Sequence, residues 1–192
     1  MDNVNRYIDE LSQAVEGLPR DRLEELGELL YRAYRNEKQV FVIGNGGSAS
    51  TATHWAADLS KNTIGANMRR FRLISLNDNT ATLTALANDL GYENVFSEQL
   101  KNLARAGDLL IVLSGSGKSP NVINAIRCAQ ECCAEVAAVL GFSGGEAAEM
   151  ADLSIIVPSN HYGVIEDVHL VINHILVDYF KGRLADEQPW VV

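Results

Sequence analysis

The sequence is poor in positive charge: 16 lysines and arginines stand against 25 aspartates and glutamates in 192 residues, a formal net charge of -9. A field of that sign repels nucleic acid and anionic membranes, so neither is expected as a partner, and any anion must be caught by local donors. Long apolar runs are also missing. No segment approaches the ~20 residues of a membrane-spanning helix, and the polar start (Asp2, Asn3, Asn5, Arg6) lacks the basic stretch and apolar run of a secretion signal, so the cytoplasm is the expected compartment. Cysteine is scarce and odd in number. Cys128, Cys132 and Cys133 crowd one predicted helix, where they offer neither a disulfide framework nor the paired CxxC spacing of structural zinc, and they read as small packing residues. No linker, low-complexity stretch or charge block divides the chain, and its length suits one substantial core rather than two. One domain over residues 1–192 is therefore expected.

What is present alternates between two periods. From Asn3 to Asn36 apolar residues recur every three or four positions (Val4, Ile8, Leu11, Val15, then Leu23, Leu26, Leu30), which predicts two amphipathic helices broken at Gly17-Leu18-Pro19. Gln39 to Ile43 is a short β-branched run that stops at glycines, the pattern of a buried parallel strand. Asp108 to Leu113 repeats that order of strand, glycine loop and helix, the helix starting near Pro120. Further strands are expected at Arg72 to Leu76, Glu135 to Leu140 and Leu153 to Val157, a glycine turn at Ser143-Gly144-Gly145, and a closing helix from about Val164 to Leu184. Such alternation predicts an α/β fold, a three-layer α/β/α sandwich around a mostly parallel five-stranded sheet. Residues 1–36 are its N-terminal helices and 37–185 its core. Residues 186–192 show no clear periodicity and are expected to be mobile or to pack on a partner chain.

Two loops follow strands and open helices. Gly44-Asn45-Gly46-Gly47-Ser48 lets backbone amides converge at a helix N-terminus, a setting that favours phosphate. It lacks the lysine of a nucleotide-binding P-loop, and no acidic residue for a ribose follows about 20 residues on, so no nucleotide cofactor is expected. The second loop, Ser114-Gly115-Ser116-Gly117-Lys118-Ser119, adds three hydroxyls to its amides. Either loop alone can be an ordinary turn with a serine cap. Together in one sheet they point to a phosphorylated small molecule.

With His54, Asn88-Asp89, Gly144-Gly145 and the helix carrying His169 and His174, these two loops resemble the sugar isomerase (SIS) domains, and within them the phosphoheptose isomerases. The resemblance implies a flavodoxin-like SIS fold, a homo-oligomer, commonly a tetramer packed through the N-terminal helices, and an aldose–ketose isomerase. Sedoheptulose 7-phosphate would be converted to glycero-manno-heptose 7-phosphate. It also implies that Asn88 and Asp89 contact substrate, with Asn45, Gly46, Gly47, Ser48, Ser114, Gly115, Ser116 and Ser119 at the sugar phosphate. His54 matches a metal-site histidine, Asp58 the family's catalytic glutamate, and His174 its catalytic histidine, while Glu166 stands where the family usually has glutamine. The same family contains non-catalytic members that bind the replication initiator, and the two departures, at Asp58 and Glu166, leave that alternative open.

The residues themselves suit the chemistry. Isomerisation needs a base that moves a proton between adjacent carbons and a group that serves the carbonyl oxygen. His54 and Asp58, four apart, share a helix face. Glu166 and His174, eight apart, lie about 80° from each other around a helix, so both are expected to reach one cleft. Asp58, Glu166 and His174 are thus the catalytic candidates, and His54, Asp58, Glu166 and His174 are a candidate zinc set of oxygen and imidazole ligands. Asp167 nearly aligns with His174, His169 reads as structural, and His161 has no assigned role. Asn77-Asp78-Asn79-Thr80 reads either as sugar-facing or as a plain turn with a helix cap.

Overall fold

The computed structural model describes residues 2–65 and 69–185, so the expectation for residues 186–192 lies outside the described residues. Helices α1 (Asp2–Glu16) and α2 (Arg20–Arg35) come first, broken at Gly17-Leu18-Pro19 as the pattern requires. Strand β1 (Val40–Gly44) and helix α3 (Gly47–Lys61) flank the first glycine loop; β2 (Leu73–Ser75) and α4 (Thr80–Leu90) follow. A 3-10 turn at Tyr92–Asn94 and α5 (Ser97–Leu103) lead to β3 (Leu109–Ser114), the second glycine loop and α6 (Pro120–Glu131). Then come β4 (Glu135–Leu140), α7 (Gly145–Met150), β5 (Leu153–Ile156) and the long α8 (Tyr162–Ala185).

All five strands are parallel, in the order β2-β1-β3-β4-β5. Side chains alternate across a strand, and the core divides accordingly. Val40 and Val42 pack with Trp55, Leu26, Ile172 and Phe180 under α2, α3 and α8, while Phe41 and Ile43 pack with Phe96, Leu100, Val122 and Ile126 under α5 and α6. Three layers result, as the alternating pattern predicts. Trp55, fully buried, also donates its indole N–H to the His169 carbonyl at 3.1 Å. A tryptophan so placed stabilises a core by roughly 3 to 5 kcal/mol relative to alanine, and this one locks α3 beside α8.

Three expectations need correction. Gly144 does make a turn, at φ 81°, but Gly145 opens the short helix α7, because Gly144-Gly145 must nest against the second loop: a Cβ on Gly117 would strike the Gly144 carbonyl, and the Ala147 amide donates to the Gly117 carbonyl at 3.0 Å. Helix α8 begins at Tyr162, two residues early, because the His161 imidazole caps it by accepting from the amides of Gly163 (3.1 Å) and Val164 (3.4 Å). Of the cysteines only Cys128 is buried, its thiol pushed up to about 11 chiefly by burial; Cys133 is exposed, with φ 57°, at the end of α6.

Among the described residues no helix is long and apolar enough to cross a membrane.

Candidate active site

The chain places β2 on one side of β1 and β3 on the other, so the direction of strand order reverses between β1 and β3. Open parallel sheets form their ligand crevice at such a reversal, outside the carboxyl ends of the strands. Both glycine loops leave from it, since Gly44 at the end of β1 lies in register with Leu113 on β3.

Glycine is required where the loops turn hardest. Gly46 has φ 55° and ψ -121°, a conformation side chains resist, and it directs its carbonyl to the amides of Ala49 and Ser50. The amides of Gly46, Gly47 and Ser48 meet no acceptor among the described residues. In the second loop two amides are already occupied: Gly117 donates to Ser114 Oγ at 3.1 Å and Lys118 to Ser116 Oγ at 3.3 Å. Ser114, buried, therefore shapes its loop from within. Ser119 sits at the N-cap of α6 without a side-chain cap bond, which leaves its hydroxyl for a ligand, while its carbonyl accepts from Val122 and Ile123. Ser116 is half-buried, and Gly115 passes so close beneath the Tyr162 ring that a Cβ there would meet it at 2.9 Å.

The acid–base candidates gather on α3 and α8, which run side by side in the same direction. His54 Nε2 lies 3.0 Å and His174 Nε2 3.5 Å from Asp58 Oδ2, and the two imidazole rings meet edge to face with centroids 5.6 Å apart. Asn173 donates to Asp58 Oδ2 at 2.8 Å and Asn62 to Oδ1 at 3.0 Å, so the carboxylate is held at both oxygens while both imidazoles remain open to solvent. One donor atom from each of His54, Asp58 and His174 falls within 4.8 Å of the others, the spacing of groups able to share a metal ion.

Glu166 is not part of that cluster. Its carboxylate lies over Gly47, where a Cβ would collide with it, and has no hydrogen-bond partner among the described residues. Glu166 and His174 are eight positions apart, which separates them by about 12 Å along α8, a translation that rotation around the helix leaves out. Asp167 is taken by Tyr7 of α1, whose hydroxyl donates to it at 2.7 Å and is pushed up to about 12 by that bond. His169 is fully buried.

Two further candidates stand apart from the loops. Asn88 and Asp89 are exposed on α4 and bond to each other at 2.8 Å; no hydrogen bond ties them to either glycine loop. Asn77 exchanges two bonds with the Gly44 backbone (2.8 and 3.2 Å), Asp78 accepts from Thr53, and Asn79 caps α4. That stretch is the turn and cap, and it braces the first loop.

Sequence reasoning missed the residues that hold the site together. Asn173 and Asn62 orient Asp58; Asn62 sits four positions after it at the C-cap of α3, a spacing that was readable. Asn121 and Tyr92 engage the Asn45 side chain, and neither carried a motif.

The SIS domain family matches residues 4–141. The phosphoheptose isomerase of Sulfurimonas denitrificans is 40% identical over 164 residues, which is 85% of this chain and 84% of that one. That of Helicobacter pylori is 36% identical over 179 residues, covering 93% and 92%. The structure of phosphoheptose isomerase GmhA from Neisseria gonorrhoeae superposes with a TM-score of 0.87 at 32% identity, covering 94% of this chain and 98% of that one. The loops, the α3–α8 cluster and these likenesses agree: the chain belongs to the SIS domain family, in its phosphoheptose isomerase group.

Proposed function

We propose that this protein is an aldose–ketose isomerase that interconverts sedoheptulose 7-phosphate and glycero-manno-heptose 7-phosphate. The observation that carries this is the meeting of two donor-rich loops at the β1/β3 reversal, with the imidazole–carboxylate cluster of His54, Asp58 and His174 beside them on α3 and α8. Relatives named phosphoheptose isomerase support the substrate.

The phosphate sits on the second loop and the N-terminus of α6, where Ser116, Ser119 and backbone dipoles offer donors. The first loop is less suited to a dianion, because the Glu166 carboxylate lies on Gly47; it cradles the sugar instead. The carbonyl end of the sugar is directed to the α3–α8 cluster. There Asp58, aimed by Asn62 and Asn173, moves the proton between adjacent carbons, and His174 serves the carbonyl oxygen. Glu166 is the second carboxylate, positioned for the sugar hydroxyls over Gly47.

His54, Asp58 and His174 fit zinc by donor type and spacing. Bound there, the ion would supply Lewis-acid polarisation of the sugar carbonyl. The cluster also argues against a non-catalytic scaffold that binds a replication initiator, which has no use for acid–base groups beside a phosphate seat. Val4 and Ile8, exposed along α1, support assembly of several copies, and the acidic surface fits a cytoplasmic protein.

Incubation with sedoheptulose 7-phosphate, followed by NMR of the products, is expected to show an aldose phosphate, with turnover falling after chelation and returning on addition of zinc. No isomer from any five- to seven-carbon sugar phosphate contradicts the enzyme; turnover unchanged by chelation removes the metal.

A further inference from the structure

Asn45 was expected at the ligand, but its side chain faces the protein. Its Nδ2 donates to Asn121 Oδ1 at 2.9 Å, and Asn121 Nδ2 donates back to Asn45 Oδ1 at 2.8 Å. Tyr92 adds a third bond, its hydroxyl donating to Asn45 Oδ1 at 2.8 Å. Asn45 belongs to the first glycine loop, whereas Asn121 lies in the first turn of α6, directly after the second. A further bond, from Asn124 Nδ2 to the Glu93 carbonyl at 3.0 Å, fastens the Tyr92 turn to the same helix. Asn121 is only 2% exposed, so its amide has little access to water to replace a lost partner; Tyr92 is 56% exposed and sits on the rim.

We propose that the Asn45–Asn121 amide pair, backed by Tyr92, is a clasp that fixes the separation between the phosphate seat on the second loop and the sugar cradle on the first. The inference rests on the division of the ligand between the loops given above. Asn45, Asn121 and Tyr92 are positioning residues. Gly46, which directly follows Asn45, has a left-handed φ of 55° at the turn into α3, so the clasp holds the residue next to the point where the first loop turns hardest. A ligand that touches one loop is indifferent to the clasp. A ligand that touches both must find them at the right distance, because a two-point ligand gains affinity only when both points are met without rearrangement.

Calorimetric titration separates these cases, with inorganic phosphate as the one-loop probe and sedoheptulose 7-phosphate as the two-loop probe. In Asn121→Ala, Asn45→Ala and the double variant, the affinity advantage of the sugar phosphate over inorganic phosphate is expected to shrink by about tenfold, the scale of a lost buried amide pair, while phosphate itself binds within about twofold of the unmodified protein. The double variant should be no worse than the single ones, since all three delete the same pair. Tyr92→Phe, which removes one exposed hydroxyl and leaves packing intact, should show the same loss at about threefold. An unchanged ratio in Asn121→Ala and Tyr92→Phe overturns the clasp, as does a loss confined to Asn45→Ala, which would make Asn45 a direct contact. Equal affinities for the two probes in the unmodified protein overturn it as well. The isomerase reading is tested separately by turnover of the unmodified protein, because these titrations need none.

Discussion

His174→Gln and Asp58→Asn are each expected to lower kcat by roughly a hundred- to ten-thousandfold, the range that positioned acid–base groups contribute, while the affinity for sugar phosphate stays within a few-fold. Both substitutions preserve shape and remove the ability to exchange a proton. The proposed phosphate seat uses the second loop and neither of these residues, so binding and chemistry are expected to separate: an interaction made only in the transition state lowers kcat without weakening the ground-state complex. Asp58→Asn also sets an amide against one of its two donors, Asn62 or Asn173, which costs about 1 kcal/mol of stability. Steady-state kinetics with calorimetric binding checks the split. Full activity in either variant reassigns that residue; equal loss of binding and turnover places it at the ground-state ligand.

A second large effect concerns stability in acid. His169 is fully buried, neither ring nitrogen finds a hydrogen-bond partner of good geometry, and burial pushes the imidazole down to about 4 from 6.5, the nearby Leu140 carbonyl opposing only weakly. Between those two values the unfolded chain binds a proton at this position and the folded chain does not. The contribution is therefore fully present above about pH 6.5 and is lost as pH falls toward 4, amounting to roughly 2 to 3 kcal/mol. Carboxylates titrate in the same window, so the informative quantity is a difference: denaturant midpoints at pH 7 and pH 4.5 for the protein and for His169→Leu. The variant is expected to lose less stability on acidification by that amount. Parallel losses in both proteins would contradict the assignment.

Much of the architecture was readable because it rests on period. The switch from helical spacing before Asn36 to the β-branched run at Val40, and its repetition at Leu109, placed both strands of the crevice and both loops. The short β2 was found from Arg72 to Leu76 but pairs only over Leu73 to Ser75, since periodicity does not mark where a strand loses its neighbour. Helix α5 and the Tyr92 turn went unseen because seven-residue and three-residue elements scarcely register as a period.

At the site, residues four apart on one helix were legible, and His54 with Asp58 met as expected. Across two helices the reading was partial. It brought His174 to Asp58 yet also sent Glu166 there, because it counted rotation around α8 and neglected translation along it. The amide contacts were beyond reach for a different reason. Asn45 and Asn121 are 76 positions apart, and only the adjacency of β1 and β3 brings them together. Asparagine at a glycine loop advertises a turn or a ligand, not a partner in another helix.

The most direct test of the central claim is to run the isomerisation of sedoheptulose 7-phosphate in deuterium oxide and follow it by NMR. A proton carried by the half-buried Asp58 beside the exposed His174 exchanges with the medium, so an aldose phosphate with deuterium on the carbon next to its carbonyl is predicted. Absence of any aldose, or an aldose formed with no deuterium at that carbon, would contradict it.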